Sequence, residues 1–146
     1  MPSPRQLPLL LASTSPHRRA LLERLGLPFQ VRSPRVDEAL RAGEAPLDRS
    51  LRLAVEKACA VAAQVPGVLV IGSDQVASLG NPDGVEVLRK PGNRERCLEQ
   101  LARMSGGTAR FHTSVALASP DGRVATHTDL TQVHFRELTP AEIANY

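Results

Sequence analysis

Leu9-Leu10-Leu11-Ala12-Ser13-Thr14-Ser15-Pro16-His17-Arg18-Arg19 is the stretch that decides the fold class. An apolar strand runs into small hydroxyl residues, then a proline, then two arginines. Ser15 suits a helix N-cap and Pro16 the first helical position. The order strand, turn, helix start is the opening of an α/β sheet, and such sheets bind ligands beyond the carboxyl ends of their strands. Backbone N–H groups at a helix start carry partial positive charge, and Arg18 and Arg19 add two guanidiniums to the same turn, which together bind anions. Cations there oppose the helix macrodipole, and a bound phosphate would account for them. From this stretch alone, an ordinary capped and solvated helix start fits equally.

Outward from that turn, Leu7–Ala12 reads as a buried strand and Pro16–Leu25 as a helix. Ala20, Leu21, Leu22 and Leu25 give the helix an apolar face, and Gly26 closes it. Phe29–Ser33 is a short strand, and Pro34 to Leu47 a loop. Asp48 is expected to cap a helix reaching about Val65, with Leu51, Ala54, Val55, Ala58 and Ala62 at helical spacing. Val68–Ile71 is a fully apolar strand expected to end at Gly72-Ser73-Asp74-Gln75, with strand resuming over Val76–Leu79. Asn81-Pro82-Asp83-Gly84 is a turn signal ahead of Val85–Leu88. Asn93–Met104 reads as a helix ended by Ser105-Gly106-Gly107. Thr108–Ala118 and Arg123–Phe135 form a hairpin about Pro120-Asp121-Gly122. Thr139 begins a last helix with Pro140 at its first position and Glu142 completing a capping box. The sequence stops four residues later, so more chain is expected beyond Tyr146. No repeat or linker divides the chain, which reads as a single domain over residues 1–146.

A length of 146 residues suffices for one domain with its own core. No apolar run reaches the ~20 residues of a membrane span, and no secretory signal is visible. A cytoplasmic protein without a membrane partner is the expectation. Cys59 and Cys97 lie in helical patterns away from any metal or redox spacing, and read as core or half-buried thiols in a reducing compartment. The net charge is +3, yet there are only three Phe, one Tyr and no Trp. So few stacking residues argue against a nucleic-acid polymer as partner. A small anionic ligand suits the balance better.

Four further charged positions fall at the edges of these elements: Glu38 beside Asp37 in the first loop, Lys57 in the long helix, Asp74 after the most apolar strand, and Lys90 before Pro91. Asp37 and Glu38 could be loop solvation, Glu56 and Lys57 a solvated helix face, and Lys90 a surface lysine. Asp74 resists such a reading, because the carboxyl end of a core strand is where α/β proteins place a catalytic acid. Together these residues and the arginines suit metal-assisted attack on a phosphate. Carboxylates hold a hard divalent cation that bridges phosphate oxygens. Lys and Arg neutralise the polyphosphate, and one carboxylate takes a proton from water. An Asp of ordinary pKa, ~3.9, is a weak base, so the metal must help to acidify that water.

Leu11-Ala12-Ser13-Thr14-Ser15-Pro16-His17-Arg18-Arg19-Ala20-Leu21-Leu22, Val36-Asp37-Glu38, Glu56-Lys57-Ala58, Ile71-Gly72-Ser73-Asp74-Gln75-Val76 and Lys90-Pro91 stand in the order of the Maf family, which the chain resembles over nearly its whole length. The resemblance implies an elongated α/β fold, a mixed twisted sheet flanked by helices with a central cleft, related to inosine triphosphate pyrophosphatases. It implies hydrolysis of a nucleoside triphosphate to monophosphate and pyrophosphate with Mg or Mn. By the same resemblance Asp74 is the proton acceptor and Glu38 a metal-linked carboxylate. Arg18, Arg19, Lys57 and Lys90 handle phosphate, while Ser13, His17 and Gln75 line the substrate. Gln75, where the dTTP/UTP branch usually has Thr, and Val133-His134-Phe135-Arg136-Glu137-Leu138 with Glu142-Ile143 and Asn145-Tyr146 resemble the branch that hydrolyses 7-methyl-GTP. His17 stands where that branch often has an aromatic: it could stack on the base or be a plain exposed first-turn residue. A homodimer is compatible with the resemblance. Family members continue past the equivalent of Tyr146, so the chain reads as C-terminally shortened, and its own activity as open. The alternatives are a dTTP/UTP pyrophosphatase and a shortened nucleotide-binding protein without catalysis.

Overall fold

The computed structural model describes residues 6–81 and 84–146, in the order β1 (Leu9–Ala12), α1 (Pro16–Glu23), β2 (Phe29–Arg32), α2 (Pro46–Ala62), β3 (Leu69–Asn81), β4 (Gly84–Leu88), α3 (Arg94–Met104), β5 (Thr108–Ala118), β6 (Val124–His134) and α4 (Pro140–Ala144). The two central residues of the turn expected at Asn81-Pro82-Asp83-Gly84 lie outside the described residues.

One mixed sheet carries the fold, in the order β2-β1-β3-β5-β6, with β4 also paired to β3. β1 runs parallel to β2 and β3, while β4, β5 and β6 are antiparallel to their neighbours. The β1–α1–β2 and β2–α2–β3 crossovers force the parallel half, since parallel strands need long connections. The hairpin about Asp121 sets the antiparallel half: Ser119 N–H donates to Arg123 O at 2.9 Å, and Gly122 turns at φ 88°.

α2 lies across β3 and β5. Its inner face, Leu53, Ala54, Ala58 and Val61, is buried, and Ala54, Ala58 and Val61 close on Leu10, Ala12, Val70, Ala116 and Ala118. The small residues let helix and sheet approach closely. At Gly72 an added Cβ would stand 2.3 Å from the Ala54 carbonyl oxygen and 2.6 Å from the Ala58 nitrogen. A buried hydroxyl chain pins the front of the helix: Ser50 Oγ meets Ser114 Oγ at 2.7 Å, and Ser114 Oγ meets Thr128 Oγ1 at 3.0 Å.

Four expectations are corrected. Asp48 does not cap α2: the N-cap is Ala45, with no side-chain hydrogen bond, and Asp48 sits in the first turn, where its charge complements the helix dipole. β3 does not break at Gly72-Ser73-Asp74-Gln75 but runs unbroken, because β5 pairs with it continuously from Val70 to Leu79. α1 buries no side chain; Leu21 and Leu25 of its apolar stripe are 61% and 66% exposed. Cys59 is exposed, being one residue, or about 100°, around α2 from buried Ala58, whereas Cys97 is half-buried.

Candidate active site

The sheet topology opens a gap at its centre. β1 pairs with β3 only as far as Ala12 opposite Gly72. β4 takes up the pairing on the same side of β3 at Leu88 opposite Ala77. Between them, Ser73–Val76 have β5 on one side and no strand on the other. This is where strand order reverses direction, the crevice in which open α/β sheets bind ligands. A cleft of about 790 Å³ fills it, walled by the β1–α1 turn, by Glu38 and Ala39, by Arg49, Leu53 and Lys57 of α2, and by Val87–Lys90.

Asp74 stands on the cleft floor, 7% exposed. The period of two along β3 puts it on the same face as Val70 and Gly72, beneath α2. Lys57 reaches it from α2, Nζ to Oδ1 2.8 Å, and is itself 7% exposed. Glu38 closes on the same ammonium from the loop, Nζ to Oε1 2.9 Å. One cation thus gathers two carboxylates that lie far apart in sequence. The pairing offsets the cost of enclosing the Lys57 and Asp74 charges, while the Glu38 side chain stays open to solvent.

The turn after β1 forms the opposite wall. Ser13 is buried, and its Oγ accepts the Ser15 N–H at 3.0 Å, which folds the turn. Ser15 caps α1 by accepting the Arg18 N–H at 3.3 Å. Pro16 has no N–H, so the His17 main chain and the Arg18 guanidinium remain as donors at this edge; Arg18 is half-buried and makes no ion pair among the described residues. His17 lies on the cleft rim and is exposed. Gln75 also lines the cleft, with its amide donating to Thr113 Oγ1 at 2.9 Å. Lys90 and Arg89 close the far side, both exposed.

The structure thus gathers Ser13, His17, Arg18, Glu38, Lys57, Asp74, Gln75 and Lys90 around one cleft. It does not bring Arg19 there. Arg19 points away, pairs with Glu23 at 3.2 Å, and lines a separate open depression with Leu27, Pro28 and Phe29. The turn of about 100° from Arg18 to Arg19 carries the second guanidinium off the cleft side and toward Glu23. Sequence reading missed Arg49 and Arg89. Arg49 had a signal: Arg49, Leu53 and Lys57 recur every four residues on one helix face.

Beside the cleft, Arg52 holds the loop to the helix. Its guanidinium meets Glu44 at 2.5 and 2.9 Å and Glu56 at 3.1 Å. The hydrogen bonds from Arg52 hold the Glu44 carboxyl below the usual carboxylate range. Among the described residues no three His, Cys, Asp or Glu side chains cluster as a metal cage. A pair of carboxylates, Asp74 and Glu38, does face the space where a polyphosphate would lie. Mg²⁺ is commonly held by one or two carboxylates with the rest of its shell from phosphate and water, and the donor set fits that arrangement.

Comparison with known proteins identifies the family and the fold. The sequence model described as Maf-like protein matches residues 8–146. A protein named 7-methyl-GTP pyrophosphatase from Xanthomonas oryzae pv. oryzae (strain MAFF 311018) is 54% identical over 94% of this chain and 70% of its own length. One of the same name from Albidiferax ferrireducens is 50% identical over 100% of this chain and 72% of its own. Among solved structures, a HAM1 protein from Coxiella burnetii has a TM-score of 0.63 at 16% identity, covering 88% of this chain and 73% of its own. A nucleoside-triphosphatase, dITP/XTP pyrophosphatase, from Mycobacterium abscessus has a TM-score of 0.59 at 18% identity, covering 88% and 74%. The two structural likenesses bear on the fold alone, whereas the sequence matches span β1 to α4 and every wall of the cleft. The chain belongs to the Maf-like protein family.

Proposed function

We propose that this cleft hydrolyses a nucleoside triphosphate to the monophosphate and pyrophosphate, with 7-methyl-GTP as the substrate. The observation that carries the reading is the buried Asp74 on the cleft floor, joined to Lys57 and Glu38 and surrounded by Arg18, Arg49, Arg89 and Lys90. The names of the relatives at 50–54% identity supply the base.

Arg18 and the start of α1 bind the phosphates, as unpaired donors at a helix N-terminus do. Lys90 meets them from the far wall, and Lys57 neutralises charge on the floor. Asp74 orients a water and accepts its proton. The water oxygen bonds to the α-phosphorus, the α–β bridge is cut, and the bridging oxygen leaves with pyrophosphate. Glu38, beside Asp74, would hold a divalent cation, Mg or Mn, which when bound supplies phosphate neutralisation and a more acidic water. His17 and Gln75 would contact the nucleoside, His17 by offering a π face to a cationic methylated base. No helix among the described residues is long and apolar enough to cross a membrane.

The test is turnover of 7-methyl-GTP, dTTP and UTP side by side, with products separated by chromatography. Preferential release of pyrophosphate from 7-methyl-GTP supports the reading. Preference for dTTP or UTP moves the protein to the other branch, and nucleotide binding without pyrophosphate release removes the catalytic role.

A further inference from the structure

The cleft contains an arginine that the reaction above does not use. Arg49 is half-buried in the first turn of α2. Its guanidinium is not paired with a carboxylate among the described residues; it is forked over two successive main-chain carbonyls, Nη2 donating to Glu38 O at 2.6 Å and Nη1 to Ala39 O at 3.1 Å. The same short loop is held from within, where Asp37 Oδ1 accepts the Ala39 N–H at 2.9 Å. Eight residues further along α2, on the same face, Lys57 holds the side chain of Glu38 at 2.9 Å. Two helix positions separated by about 12 Å of axial rise therefore converge on one residue.

The other ties from this loop to α2 lie further along it, Arg41 to Glu56 at 3.4 Å and Glu44 to Arg52 at 2.5 Å. Asp37, Glu38, Ala39 and Leu40 are all exposed. A planar fork matches two neighbouring acceptors in a way a lysine ammonium does not. A loop carboxylate that must meet a reacting phosphate needs such support, because small displacements of a positioned group cost large factors in rate.

We propose that Arg49 is a positioning residue: it clamps the main chain at Glu38 and Ala39 so that the Glu38 carboxylate is presented to Lys57 and Asp74 in the cleft. The consequence for catalysis rests on the metal-linked reading of Glu38 given above, whereas the clamp itself does not.

Two readouts test it on the full chain. The first is amide hydrogen exchange at Ala39. Arg49→Gln should speed that exchange while leaving the melting temperature near the parent's, and Arg49→Lys should restore only part of the protection. Unchanged exchange at Ala39 in Arg49→Gln overturns the proposal. The second is pyrophosphate release from 7-methyl-GTP against Mg²⁺. Arg49→Gln should raise the half-saturating Mg²⁺ about 10-fold, the usual scale for a residue that orients a ligand rather than serving as one, with little change in substrate KM. Added to Glu38→Gln, it should cause no further loss. Independent, multiplying effects, or a raised KM at unchanged Mg²⁺ dependence, show Arg49 acting on the polyphosphate directly and overturn the proposal. Faster Ala39 exchange with an unmoved Mg²⁺ titration supports the clamp and removes the metal-linked role of Glu38 instead.

Discussion

Lys57 of α2 and Asp74 of β3 meet under the cleft as a buried ion pair, Nζ to Oδ1 2.8 Å, with both side chains about nine-tenths enclosed. The pair joins the two layers of the protein at the point where β3 lacks a neighbour on one side. It therefore couples the seating of the helix to the placement of the candidate base.

Removing the cation should expose that coupling. Lys57→Met keeps the apolar stem and deletes the charge. Breaking a fully enclosed pair from one side costs about 3–5 kcal/mol. The cleft admits water, so a loss of roughly 2 kcal/mol is expected here, read as a lower urea midpoint at unchanged slope. Stability equal to the parent's would show that the pair carries no folding energy.

Gly72 tests the layer contact itself. A Cβ there meets the backbone of Ala54 and Ala58, atoms that cannot rotate aside. Gly72→Ala should displace α2 from the sheet and cost about 3 kcal/mol, the upper part of the range for overpacking. Because Lys57 lies between those two contacts, turnover should fall with stability. An unaltered melting curve would contradict the observed helix–sheet distance.

Ala45 offers a gain. It sits at the α2 N-cap with φ −68° and ψ 151°, conformation suited to a cap, yet provides no acceptor. Ala45→Ser should stabilise by about 1 kcal/mol, a rise of roughly 4 °C in melting temperature. No rise would mean that the first-turn N–H groups are already satisfied.

Glu142 should report acid loosening near α4. The Arg136 guanidinium, and after it the Thr139 N–H, hold its carboxyl down to about 2. The folded value lies below the unfolded one, so its stabilisation is complete above the ordinary glutamate range and is lost as pH falls toward 2. An NMR titration of Glu142 should have its midpoint near 2, and Arg136→Gln should move it upward. A midpoint in the ordinary range for the parent would contradict the pairing.

Much of this was legible because local chemistry and tertiary context agree. The hydroxyl-rich turn after Leu11, the Asn93 cap of α3, the hairpin about Asp121 and the capping box at Thr139 all form where their residues dictate. What could not be read depends on distant partners. Gly72-Ser73-Asp74-Gln75 looks like the end of a strand, and only pairing to β5 carries the strand through it. Arg18 and Arg19 look equivalent in sequence, but helix rotation sends one to the cleft and the other to Glu23. Lys57 resembles a solvated lysine beside Glu56 until β3 brings Asp74 beneath it. Arg49 resembles any first-turn surface arginine, because its partners are loop carbonyls, which carry no mark in sequence.

The measurement that bears most directly on the central claim is 7-methyl-GTP turnover by Asp74→Asn beside the parent, with nucleotide affinity measured in parallel. Asparagine keeps the shape and removes the base. The expected result is pyrophosphate release by the parent, a fall of about 10²–10⁴-fold in the variant, and nucleotide binding largely retained. Full turnover by Asp74→Asn would contradict the account.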